Sequence, residues 1–145
     1  MAKPAFILAC LNLFPEYDGL LWTDADSEFL GVPDFTYFQD CHISYLRFKR
    51  SKDHLEEYLT GTVFYSNTPT TKRFILDWID ETRKYGKHFT PEQDSLKITA
   101  ARWKDKISWK ELPPKYVYIK GDFNELYPGV RPVILHYQAS RVKRK

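Results

Sequence analysis

The stretch Leu20-Leu21-Trp22-Thr23-Asp24-Ala25-Asp26-Ser27 decides how this chain is read. A short apolar, β-favouring run ends in two carboxylates separated by one residue. Extended chain alternates its side chains, so Asp24 and Asp26 leaving a strand are expected on the same side. A buried strand that ends in an uncompensated carboxylate pair is costly. A hard divalent cation offers the natural compensation, because Mg²⁺ and Mn²⁺ prefer oxygen ligands and bridge carboxylates to phosphates. A solvated Asp-x-Asp turn is the plain alternative.

The 145 residues fit one globular domain, 1–145, with a basic tail over 139–145. Hydrophobic residues make up 43% and aromatics 17%, which excludes a disordered chain. The net charge of +3, set against 19 acidic residues, is a weak electrostatic footprint for nucleic acid. Arg141, Lys143, Arg144 and Lys145 concentrate cations at the C-terminus, where they suit an anion or a solubilising tail. Cys10 and Cys41 are too few for a disulfide framework, and Cys10, among apolar neighbours, reads as a core residue. No secretory leader pattern and no apolar stretch of bilayer length is present, so a cytoplasmic, reducing location is the expectation.

Strand and helix signals alternate outward from the Asp pair. Upstream, Pro4 suits a first helical turn, and Phe6, Ile7, Leu8, Leu11 and Phe14 predict a helix with a broad apolar face. Pro15 and Asp18-Gly19 stop it and turn the chain into the Leu20–Thr23 strand. Downstream, Ile43–Phe48 alternates as a strand and Thr62–Ser66 is β-branched and aromatic. Thr70 or Thr71 would cap a helix bearing Phe74, Ile75, Trp78 and Ile79 on one face, with Gly86 as its stop. Thr90-Pro91-Glu92-Gln93 opens another, with Thr90 as cap. Ile107–Leu112, Tyr116–Ile119 and Val133–Tyr137 read as short strands. The fold class is therefore α/β, a mixed or parallel sheet flanked by helices.

Other Asp-rich motifs fail on spacing. A calcium loop counted from Asp24 needs Gly sixth and Glu twelfth, where Phe29 and Phe35 stand. A haloacid-dehalogenase-type phosphatase wants Thr or Val two residues after the second Asp, where Glu28 stands. No spacing specifies the opposed carboxylates of a glycosidase, and neither phosphate-cradling glycine motif occurs. His42, His54 and His88 have no chemical context and read as surface or packing residues.

The strand followed by Asp24-Ala25-Asp26 resembles the Asp-x-Asp motif of GT-A-fold nucleotide-diphospho-sugar transferases. Further segments follow in that family's order. Lys3-Pro4 and the helix to Phe14 look like the segment before that strand. Thr60-Gly61-Thr62-Val63-Phe64 resembles the strand beside the donor sugar. Pro91-Glu92-Gln93-Asp94 is similar to the start of the acceptor-side helix. Leu112-Pro113 with Tyr116 looks like a late Leu-Pro-x-x-Tyr turn, and Val133-Ile134-Leu135-His136-Tyr137 resembles the terminal strand with a metal-binding His.

The resemblance implies a metal-dependent glycosyltransferase that takes a sugar from a nucleotide-diphosphate donor to an unidentified acceptor. Asp26 and His136 would be metal ligands. Asp24 would bind the same ion or reach the ribose and a metal-bound water. Imidazole beside carboxylates tilts the metal from Mg²⁺ towards Mn²⁺. Gly61 and Thr62 would lie against the donor sugar, while Ser140, Arg141, Lys143 and Arg144 would hold the diphosphate. Asp94, with Gln93 beside it, would contact the sugar or the acceptor hydroxyl.

The resemblance covers the later part of that fold. The family's earlier portion, which holds the base and ribose, has no counterpart before Asp24 in this sequence. A sheet lacking those strands is expected to show an open edge, covered by a partner chain or a second copy. The alternative function is therefore a non-catalytic or truncated module of the same fold that needs a partner chain to complete its nucleotide site.

Overall fold

The computed structural model describes residues 3–49, 56–85 and 91–137. The strands are β1 (Gly19–Thr23), β2 (Ser27–Phe29), β3 (Ile43–Phe48), β4 (Glu57–Ser66), β5 (Trp109–Glu111), β6 (Tyr118–Ile119) and β7 (Ile134–His136). The helices are α1 (Lys3–Leu13), α2 (Pro69–Tyr85), α3 (Pro91–Trp103) and α4 (Asp122–Leu126), with 3₁₀ turns at Phe35–Phe38 and Pro114–Tyr116.

Two mixed sheets carry the architecture. The larger has the order β1-β4-β3-β5, with β4 antiparallel to both neighbours and β5 parallel to β3. The smaller has the order β2-β7-β6, with β2 antiparallel and β6 parallel to β7. Alternation along β4 sends Val63 and Tyr65 to one face and Phe64 to the other. The first face is covered by the long helices through Ile7, Leu11, Phe74, Trp78 and Leu96. The second packs on the small sheet and α4 through Phe38, Leu112, Phe123 and Ile134. The α/β reading with helices flanking a mixed sheet holds, and β1 stands at the edge of the larger sheet.

Several boundaries differ from those expected. Ala25 and Asp26 form a turn instead of continuing β1, and the chain enters β2, a strand the sequence did not suggest. Asp24 and Asp26 are therefore not alternate residues of one extended segment. β4 begins at Glu57, well before Thr62, because its early residues pair with Arg47 and Phe48 of β3. The cap of α2 is Thr68, whose Oγ1 accepts from Thr71 N at 3.2 Å, with Pro69 at the first helical position. β5 is shorter than Ile107–Leu112 because Lys106 N and Ile107 N close on Trp103 O at 2.8 and 3.2 Å. Tyr116 and Val117 spend their amides in the Pro114–Tyr116 turn, leaving only Tyr118 and Ile119 as strand. Cys10 is half-buried, and Cys41 is the buried thiol. Gly86, Thr90, His54 and His88 lie outside the described residues.

Candidate functional site

The end of β1 is where the two sheets meet. Register places Thr23 opposite Thr62, and Asp24 N donates to Gly61 O at 2.8 Å, extending the ladder one step past the strand. β2 lies beside β7 with Ser27 opposite His136, so the turn between β1 and β2 brings His136 against Thr62. Ser27 Oγ donates to Asp24 O at 2.6 Å and shares a 2.5 Å hydrogen bond with Thr23 Oγ1, fixing that turn. Tyr137 N donates to Asp26 O at 3.0 Å, and the Tyr137 hydroxyl bonds Glu28, so the chain after His136 is tied to the same turn.

Asp24 is held from one side. Its Oδ1 accepts from Lys3 Nζ at 2.8 Å and from Trp22 Nε1 at 2.9 Å. Lys3 Nζ also donates to Thr60 O at 3.1 Å, binding the start of α1 to β4. The other oxygen, Oδ2, faces Gly61: a Cβ built there would stand 3.7 Å from it. The same Cβ would stand 3.4 Å from His136 Nδ1 and 3.2 Å from its Cε1. Asp24 Oδ2 and the Nδ1 edge of His136 thus border one space that a side chain at position 61 would fill.

His136 is 4% exposed, and its Nε2 shares a 2.8 Å hydrogen bond with Thr62 Oγ1. Burial pushes its pKa below the usual imidazole value, against the opposite pull of Asp24 and Asp26. The ring is therefore neutral near pH 7. Tyr65, beneath the sheet, has a hydroxyl with no hydrogen-bond partner among the described residues, and burial raises its pKa strongly.

Of the residues singled out in the sequence, Asp24, Gly61, Thr62 and His136 are brought together, with Asp26 in the adjoining turn. Gln93 and Asp94 sit in the first turn of α3, which packs on β4; Gln93 is half-buried and Asp94 exposed. Ser140, Arg141, Lys143 and Arg144 lie outside the described residues. Among the described residues no group of three or more His, Cys, Asp or Glu side chains stands close enough, as placed, to hold a metal ion. Lys3 and Trp22, whose side chains fix Asp24, carried no site role in the sequence. Trp22 sits two residues before Asp24, as one strand face requires, whereas the Lys3 contact spans 21 positions and leaves no local signal.

No protein-family model matches the chain, and no curated protein sequence matches it. Solved structures do. The chain is similar to the glycosyltransferase GlyE of Streptococcus pneumoniae TIGR4, with a TM-score of 0.62 and 20% identity over 94% of this chain. A glycosyltransferase involved in the glycosylation of the major capsid of PBCV-1 aligns with a TM-score of 0.68 and 16% identity over 98% of this chain. The apo form of GlyE gives a TM-score of 0.51 at 20% identity over 90% of this chain. This chain spans 37% of GlyE and 71% of the PBCV-1-associated protein. No described helix is long and apolar enough to cross a membrane. What the likeness shows is the fold, the α/β architecture of these glycosyltransferases over part of their length.

Proposed function

We propose that this chain is a glycosyltransferase module whose reaction centre lies at the end of β1, where Asp24, Asp26 and His136 take a divalent cation and, through it, the diphosphate of a nucleotide-sugar donor. The observation that carries the reading is the cradle at Gly61, bordered by one free oxygen of Asp24 and the Nδ1 edge of His136. The carboxylate and imidazole chemistry of these three side chains is the kind a divalent cation takes. Metal-bound imidazoles commonly have their other nitrogen held by a hydrogen bond, and Thr62 occupies that place on Nε2. Burial keeps the ring neutral, the form that coordinates. The mixed carboxylate and imidazole set favours Mn²⁺ over Mg²⁺.

When bound, such an ion neutralises the charge that develops on a departing diphosphate. The chain's own residues do the rest. Lys3 and Trp22 fix one oxygen of Asp24, so the other is aimed rather than free to rotate. Gly61 leaves room for a donor sugar to approach the backbone. Arg141, Lys143 and Arg144, with Ser140, would clamp the diphosphate by charge-assisted hydrogen bonds. Asp94 and Gln93 would meet the sugar or the acceptor hydroxyl.

A second reading has its own support. β1 is a sheet edge, and the similar solved structures are longer than this chain. In that reading the module keeps the fold and a partner chain or a second copy supplies the pocket for the nucleotide base. Isothermal titration of nucleoside diphosphates, with and without Mn²⁺, tests both. Metal-dependent binding that disappears in Asp26→Ala supports the reaction centre. Binding that is absent, or indifferent to Mn²⁺ and to Asp26→Ala, overturns it for the isolated chain.

A further inference from the structure

A second concavity lies at the opposite end of β1. It starts at Gly19, five residues before Asp24 and therefore about 17 Å from it at strand rise. It is an open cavity of about 760 Å³, within the size range of small-molecule pockets. Phe38 and Phe64, stacked with centroids 4.6 Å apart, line its apolar interior. Gly19 belongs to the same wall, since a Cβ there would stand 2.6 Å from the Phe64 ring. At the mouth stand two exposed aromatics, Tyr17 and Phe35, at 62% and 57% exposure.

The mouth also carries Asp18 and Asp40, whose carboxylates have no hydrogen bond or ion pair among the described residues. Thr36, Ser66, Thr68 and Ser108 line the same space, with their hydroxyls already hydrogen-bonded to Asp34, Thr71 and His42. Among the described residues no Lys or Arg lines it, so those residues offer a phosphate or other anion no cationic partner.

The walls are fixed before any ligand arrives. Asn67 Nδ2 donates to Phe14 O at 3.1 Å and Tyr17 O at 3.0 Å, pinning the turn that presents Tyr17 and Asp18. His42 and Ser108 close the far side reciprocally: Ser108 N donates to His42 Nδ1 at 2.9 Å, and His42 N donates to Ser108 Oγ at 3.0 Å. Asp40 holds a left-handed backbone, φ 66°, that aspartate tolerates better than most residues. Such preorganisation lowers the ordering cost of binding.

From this we infer that the cavity is a carbohydrate-binding subsite, separate from the Asp24 end, that takes an uncharged sugar ring. A pyranose has an apolar C–H face and a rim of hydroxyls. Tyr17 and Phe35 offer rings for the face, and the free carboxylates accept hydrogen bonds from neighbouring hydroxyls on the rim. A cation is the competing ligand for aromatic rings beside carboxylates. The two carboxylates are exposed, however, and ion pairs in water contribute little, whereas the apolar C–H face of a sugar gains from two exposed rings. The inference stands on the cavity and needs neither a metal nor a nucleotide.

Saturation-transfer NMR on the full chain, without metal or nucleotide, tests it. The probes are methyl glycosides of glucose, galactose and N-acetylglucosamine and the disaccharide cellobiose, with tetramethylammonium as the cationic control. At least one sugar is expected to receive saturation at millimolar concentration. Its affinity should fall at least about fivefold in both Tyr17→Ala and Asp40→Asn, and hold in Asp26→Ala. Both sites are exposed, and asparagine keeps the tolerance for positive φ at position 40. No sugar signal at about 20 mM, or tetramethylammonium as the sole binder, overturns the inference. Sugar binding that falls in Asp26→Ala but not in Tyr17→Ala also overturns it, since it belongs to the other end of β1. Failure of nucleotide binding at Asp26 leaves every one of these outcomes unchanged.

Discussion

Lys3 Nζ lies 2.8 Å from Asp24 Oδ1, so the first described residue of the chain is ionically bonded to the end of β1. The pair is partly shielded, with side-chain exposures of 16% and 35%. Together with Trp22 Nε1 it occupies one oxygen of Asp24 and leaves the second facing His136 across Gly61. A cation held in the proposed cradle would compete with the positive end of Lys3 for the same carboxylate.

Lys3→Ala is therefore expected to strengthen Mn²⁺ binding. Two unit charges about 4 Å apart in water interact by about 1 kcal/mol, which corresponds to about fivefold in affinity. Titration calorimetry or the paramagnetic resonance signal of free Mn²⁺ measures it. A fall in affinity would mean that Lys3 acts chiefly by aiming Asp24 and not by competing with the ion.

Gly61→Ala separates folding from binding. The new methyl group would stand 3.2 Å from His136 Cε1, so the buried ring must give by a few tenths of an ångström, and urea unfolding should report a loss of about 1 kcal/mol of stability. The same methyl fills the space between His136 Nδ1 and Asp24 Oδ2. Mn²⁺-dependent nucleotide binding is expected to drop by at least about tenfold. Unchanged binding would exclude the cradle as the ligand position.

Gly19→Ala should do the reverse. A Cβ at position 19 would lie 2.6 Å from two atoms of the Phe64 ring and 2.8 Å from Tyr65 O, and the backbone atom cannot step aside as a side chain can. The expected loss of stability is about 1–3 kcal/mol, read from chemical denaturation, as for other overpacked sites. Wild-type stability in this variant would show that β1 and β4 are less closely packed than described.

Glu81 gives the protein a predictable acid response. Its carboxyl pKa is lowered by the hydrogen bond from Lys84 and by Arg102, and the Arg102 contact ties α3 to α2. A folded pKa below the unfolded one contributes stability above the unfolded value, and this is lost as pH falls through the folded value. Glu81→Gln should cost about 1 kcal/mol at pH 7, where its exposed cationic partners are screened by water, and less at pH 3. Urea midpoints at the two pH values measure the difference, and an equal cost at both would rule out the charge as its source.

Much of this fold was legible in single segments. Ile43–Phe48 was bounded correctly because its β-favouring residues occupy six consecutive positions, although the strand is buried almost throughout instead of alternating. α1 was visible from its apolar face, and Pro91 marked the start of α3. β2 was not legible: Ser27, Glu28 and Phe29 have no strand pattern and are extended only because β7, more than a hundred positions away, pairs with them. The start of β4 was missed for the same reason, since its first residues owe their state to Arg47 and Phe48.

The sequence alone determined the class of the molecule. Apolar runs, helical faces and breakers lie within short windows, and they sufficed for an α/β chain with a strand over Leu20–Thr23 leading into Asp24 and a late strand over Val133–Tyr137 carrying His136. Only the tertiary structure decided what those residues meet. Lys3 reaches Asp24 across 21 positions and Thr62 reaches His136 across 74, distances over which local propensity carries no information. Sheet register then sets Gly61 between the carboxylate and the imidazole, because a shift of one residue would turn a side chain to the other face.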